Sequence, residues 1–109
     1  MRNSIIRLNK KFGGNLINEG SLMHAIDKAK NEKNIYRSNA YIVRGIIIDH
    51  AFLDGNKRTA ISVITNRFRK EGILCDKEMM TNGMISIAKN NIHDISRIES
   101  RLRKWCSKK

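Results

Sequence analysis

Residues 40–70 read AYIVRGIIIDHAFLDGNKRTAISVITNRFRK, and the fold turns on how this stretch divides. Ala40 to Ile48 is apolar, with Tyr41, Ile42, Gly45 and Ile46 on one side of a helix and Asp49 at its edge. The Ile and Val residues also suit a strand, but length and the neighbouring helical patterns favour a buried helix. Asp54-Gly55 then makes a turn. Helical spacing resumes from Lys57 to Lys70, with Ala60, Ile61, Ile64 and Phe68 inward and Gly72 placed to end the helix.

Outward from this segment the pattern stays helical. Gly13-Gly14 and Glu19-Gly20 read as loops, and Ser21 reads as the N-cap of a helix that turns Leu22, Ala25, Ile26 and Ala29 inward. Asn31 to Asn39 is polar and reads as a loop or short extended flap. Asp76 caps a helix with Met79, Met80, Met84 and Ile87 inward. A last helix carries Ile95, Ile98, Leu102 and Trp105, and starts at Asp94 or at a Ser96–Glu99 capping box. A basic tail follows. With no proline and no repeat, residues 1–109 are expected to form one all-α domain, a bundle of about five to six helices with a short flap.

Lys and Arg outnumber Asp and Glu by 22 to 10, giving a net charge of +12 that favours an anionic partner. Nucleic acid, a nucleotide, an acidic protein and a ribosomal surface all satisfy that requirement. Apolar runs such as Ile46–Ile48 are too short to cross a bilayer, so no membrane partner is expected. Arg2, Lys10 and Lys11 precede no apolar signal core, which points to a cytoplasmic location. Cys75 and Cys106 lie far apart without metal-ligand spacing. They are expected to be free thiols in a reducing cytosol, although a bridge between them is geometrically possible.

The chemistry concentrates in His50 to Arg58. A histidine of ordinary pKa is partly neutral near neutral pH and can accept a proton. Asp54 is a hard carboxylate suited to Mg²⁺. Gly55 leaves room for a backbone to approach a ligand. The helix that follows presents free N–H groups to an anion, and Asn56, Lys57 and Arg58 add donors and charge at the same end. Phe52 is read as the plug that fixes the loop to the core. A base, a metal ligand and an anion nest in one helix–loop–helix suggest phosphoryl or nucleotidyl transfer. The competing reading is an ordinary Asp-Gly-Asn turn with a solvated Lys-Arg pair.

The same string resembles the signature of the Fic/Doc family, His-x-Phe-x-Asp-x-Asn-(Gly or Lys)-Arg, at every specified position. Lys11-Phe12-Gly13-Gly14, Gly20-Ser21-Leu22, Thr59-Ala60 and Glu71-Gly72-Ile73 resemble the family outside the motif. The resemblance implies a Fic-type helical fold that uses Mg-ATP on a protein hydroxyl. It assigns His50 as general base and Asp54 to Mg²⁺, with Asn56, Lys57 and Arg58 on the phosphates. Lys57 stands where adenylylating Fic enzymes have Gly, and Ile61 where they have a second Arg. Both departures resemble Doc, the death-on-curing toxin of toxin–antitoxin systems, although Gly55 is as in the Fic enzymes. A Doc-like kinase is therefore expected. Its target would be a translation factor, elongation factor Tu by analogy, and an acidic antitoxin would be a second partner. An adenylyltransferase and a basic nucleic-acid- or ribosome-binding module with an inactive motif are the alternatives. The intact His50 and Asp54 argue against the module.

Remaining residues carry blander expectations. His24 and His93 are read as helix-surface or capping residues, and the Met79-Met80-Met84 cluster as core filler. Trp105 is expected to close the last helix. Arg97, Arg101, Arg103 and Lys104 are read as a solvated basic face. Arg37, within the expected flap, is a weak candidate for docking a target strand.

Overall fold

The computed structural model describes residues 1–108; Lys109, at the end of the basic tail, lies outside them. Six helices account for most of the chain: α1 (Arg2–Lys11), α2 (Glu19–Asn31), α3 (Ile35–Val43), α4 (Asn56–Lys70), α5 (Lys77–Lys89) and α6 (Ile95–Trp105). Two short strands, β1 (Ile73–Cys75) and β2 (Cys106–Lys108), pair antiparallel. This is the all-α bundle expected, with one small ribbon added. No helix among the described residues is long and apolar enough to cross a membrane.

The periodic residues bury, except that Ile61 of α4, expected inward, is only half-buried and lines a cleft. Leu22, Ala25, Ile26 and Ala29 of α2, Ala60, Ile64 and Phe68 of α4, and Ile95, Ile98, Leu102 and Trp105 of α6 all lie in the core. Met80, Met84 and Ile87 of α5 join them, but Met79 is exposed. Trp105 lies flat against Gly83, where an added Cβ would stand 2.0 Å from the indole. Gly45 lets the segment before the motif press on α2, where a Cβ would meet that of Ala25 at 2.4 Å. Asp76 and Asp94 cap α5 and α6, accepting hydrogen bonds from the backbone N–H of Met79 and Arg97. The capping box does not form, because Glu99 instead pairs with Arg37 and Arg103.

Two boundaries differ from those read in the sequence. α2 begins at Glu19, so Glu19-Gly20 is helical and Ser21 lies inside the first turn. Asn18 takes the N-cap position, but its side chain is directed elsewhere, as described below. Asn31 to Asn39 is not an extended flap, because α3 starts at Ile35. The Asn34 side chain accepts from the N–H groups of Tyr36 and Arg37 at 2.9 and 3.2 Å, which nucleates the helix. Arg37 is held by Glu99 at 3.1 Å, so it is not poised on a free strand. Ser38 donates to the carbonyl of Ala29 at 2.7 Å, and Arg67 of α4 donates to Asn39 and Ser38. These bonds engage the Ser38 hydroxyl and the Asn39 Oδ1, while the buried Asn39 Nδ2 has no partner among the described residues.

The cysteines are not free. Register places Cys75 directly opposite Cys106, and the two form a disulfide. Their distance along the chain concealed this, since the pairing depends on the end of α6 returning beside the segment that follows α4. The Asp76 N–H continues the ladder by donating to the carbonyl of Trp105 at 2.8 Å. Closing a loop with a sequence separation of 31 restricts the unfolded chain. Reduction, or Cys106→Ser, is expected to lower unfolding free energy by about 2–4 kcal/mol. Urea denaturation with and without reductant measures this, and coincident curves would show that the bridge contributes nothing.

Candidate functional site

The site is assembled where α3 stops being regular. Residues Arg44–Ile48 form a π-turn, with the Asp49 N–H reaching the carbonyl of Arg44 at 3.0 Å. Such a turn inserts a residue and redirects the chain that leaves it. His50 follows in a left-handed conformation, φ 49°, which brings it out of the helix and into solvent. Ala51 and Phe52 then return to the core, Phe52 at 1% exposure, as the sequence suggested for the aromatic plug.

The loop is clamped by side-chain amides from three directions. Asn56 closes it on itself: its Oδ1 accepts from the Phe52 N–H at 3.1 Å, and its Nδ2 donates to the Phe52 carbonyl at 2.8 Å. Asn18 donates to the carbonyls of Asp49 and His50 at 3.1 and 2.9 Å. Asn9, fully buried in α1, donates to the Asp54 carbonyl at 2.8 Å and to Thr59 Oγ1 at 3.0 Å. Backbone pairing adds to this. Leu16 bridges Phe52, the Leu53 N–H donates to Asn15, and the Ile17 and Asn18 N–H groups donate to Ala51.

Two glycines are required by this packing. Gly55 has φ 74° and lies where a Cβ would stand 3.1 Å from that of Phe12. It makes the left-handed turn into α4 and the contact with α1, and it also lines the cleft described below. A Cβ at Gly14 would stand 2.3 Å from the Asp54 carbonyl oxygen.

The side chains this scaffold leaves exposed are the chemically useful ones. His50, Asp54, Lys57 and Arg58 line one cleft of about 960 Å³ together with Gly55 and Asn56. Among the described residues the His50 imidazole makes no protein hydrogen bond, and neither Lys57 nor Arg58 has an ion-pair partner. The Arg58 guanidinium lies 6.0 Å from the centre of the Phe12 ring. α4 begins at Asn56, after Gly55 and without a side-chain cap, and its first three residues line the same opening. Asp54 is the cleft's sole carboxylate, and one of its oxygens accepts from the Gly55 N–H at 2.7 Å. Among the described residues no three His, Cys, Asp or Glu side chains cluster as a ready-made metal site. A cation here would rest on Asp54 and on the ligand's own oxygens, which suits Mg²⁺.

Asn56 lines the cleft, and each polar atom of its side chain makes one hydrogen bond that closes the loop. A second cavity, about 1090 Å³, lies between α1 and the end of α4. It carries Arg7, Lys11, Arg69 and Lys70 with the carboxylate of Glu71, but no histidine. His24 and His93 are exposed and remote from the motif's cleft. In the expected basic face of α6, Arg103 is tied to Glu99 and lies over Tyr36.

Sequence reading missed Asn9, Asn18, Gly14 and the α5 wall of the cleft formed by Lys77, Thr81, Ile85 and Ala88. A signal for Asn9 was present: it falls four residues after Ile5, on the face that α1 buries. Comparison with known protein families, with characterised proteins and with solved structures returns no match.

Asn9→Ala should cost about 1–3 kcal/mol by stranding the Asp54 carbonyl and the Thr59 hydroxyl. It should also accelerate amide exchange at Leu53–Gly55. Unchanged exchange in the loop would show that Asn9 does not hold it.

Proposed function

We propose that this protein is a Doc-like kinase that transfers the γ-phosphate of Mg-ATP to a hydroxyl of a protein, by analogy a translation factor such as elongation factor Tu. The observation that carries the reading is the convergence of His50, Asp54, Lys57 and Arg58 on one cleft at an uncapped helix N-terminus. An ordinary capping turn would not direct a base, a lone carboxylate and two unpaired cations to the same opening. The resemblance of His50–Arg58 to the Fic/Doc signature supports the same chemistry.

In this reading the first N–H groups of α4, with Lys57 and Arg58, hold the phosphates. Asp54 would hold Mg²⁺ jointly with phosphate oxygens, and the ion would supply charge neutralisation there. His50 accepts the proton of the acceptor hydroxyl as that oxygen bonds to the γ-phosphorus. The bond from the γ-phosphorus to the β–γ bridging oxygen breaks, and ADP leaves. The amide clamps fix the backbone beforehand, so little reorganisation accompanies the step.

ATP and translation factors place this activity in the cytoplasm, and the basic surface suits an acidic antitoxin as regulator. Cytosolic thiols are mostly kept reduced, and neither Cys75 nor Cys106 lines the cleft.

ATP labelled at the α or the γ position, incubated with candidate translation factors, tests the proposal. Transfer from γ alone is expected. Transfer from α would instead identify an adenylyltransferase. No transfer, combined with tight salt-sensitive RNA binding, would identify a nucleic-acid module. His50→Ala should lower the transfer rate by roughly 10²–10⁴-fold while leaving the melting temperature unchanged.

A further inference from the structure

The cleft has a wall that the motif does not account for. Lys77, Thr81, Ile85 and Ala88 of α5 line it, at spacings of four, four and three residues. That spacing defines one helical face. The face is graded, with a cation at its N-terminal end and apolar side chains at the other. Ile61 and Ser62 of α4 and Ile47 of the π-turn line the same space.

Given the nucleotide reading above, on which this inference rests, we propose that Lys77 is a third phosphate-positioning cation, supplied from α5. The turn of α4 after Lys57 and Arg58 offers the same cleft an apolar side chain, Ile61, so a further charge has to come from another element. Three observations carry the assignment. Lys77 shares the cleft with Lys57 and Arg58. Among the described residues it has no ion-pair partner. The neighbouring Asp76 carboxylate is turned to the Met79 N–H at 2.9 Å, capping α5. Thr81 is not an equivalent donor, because its hydroxyl donates to the Lys77 carbonyl at 2.9 Å. The cleft thus sets three cations against the single carboxylate of Asp54, a balance suited to a polyphosphate. The apolar end of the α5 face, with Ile47, leaves a surface for the base.

Isothermal titration of Mg-ATP and of inorganic tripolyphosphate into wild type, Lys77→Met and Lys77→Arg tests this. Lys77→Met should weaken both ligands about tenfold with an unchanged melting temperature, and Lys77→Arg should restore most of the loss. Equal affinities for wild type and Lys77→Met would overturn the assignment. So would weakened ATP binding with tripolyphosphate unaffected, since Lys77 would then not be meeting phosphate. Failure of wild type to bind Mg-ATP is a separate result. It would remove the nucleotide reading itself, and the role of Lys77 with it.

Discussion

The carboxamide of Asn9 ties together three parts of the chain that have no covalent reason to meet: the end of α1, the motif loop at Asp54 and the first turn of α4 at Thr59. It is fully buried: its Nδ2 makes both of these bonds, while its Oδ1 has no hydrogen-bond partner among the described residues. The tight approach of Gly14 to the Asp54 carbonyl and of Gly55 to Phe12 exists because α1 has to come close enough for this amide to reach. Asn18 and Asn56 extend the same principle to the two ends of the loop. The cleft's shape follows from backbone atoms held by side-chain amides, buried at Asn9, half-buried at Asn56 and exposed at Asn18.

That division of labour has a chemical consequence. A site that stabilises developing charge works best when its dipoles are already aimed, so that no reorganisation is required during the reaction. Here the aimed groups are the N–H groups at the start of α4, and the loop that aims them is fixed by neutral amides rather than by charged pairs. Lys57, Arg58 and Lys77 therefore keep their charge for a ligand. Among the described residues the ion pairs, Arg2 with Glu19, Arg37 with Glu32 and Glu99, and Arg103 with Glu99, involve no residue that lines the cleft.

Much of the bundle was legible in residue order. Helical spacing located the buried faces of α2, α4 and α6, and Asp76 and Asp94 announced their helices as side-chain caps. Periodicity was weaker where a polar residue had two possible partners. Asn18 marks the start of α2 but directs its amide at the motif loop, and Asn34 builds a helix where a polar run suggested a flap. The disulfide was hidden because it depends on a strand register formed only after α6 has packed. The motif's own residues could be named from sequence, but their convergence with α5 could not. Lys77 and Thr81 look like ordinary surface residues until the helix is placed. Asn56 shows the converse, since its motif position suggested ligand binding and its side chain is engaged in holding Phe52.

The proposed activity requires a nucleotide to bind in the opening framed by the motif loop, the start of α4 and the α5 face. Backbone amide shifts recorded by NMR during titration with Mg-ATP address it directly. The largest changes should fall on Leu53–Arg58, Ile61 and the Lys77–Ala88 face, with little response in the basic cavity lined by Arg7, Lys11 and Arg69. Shifts concentrated in that second cavity, with the motif loop unmoved, would contradict it.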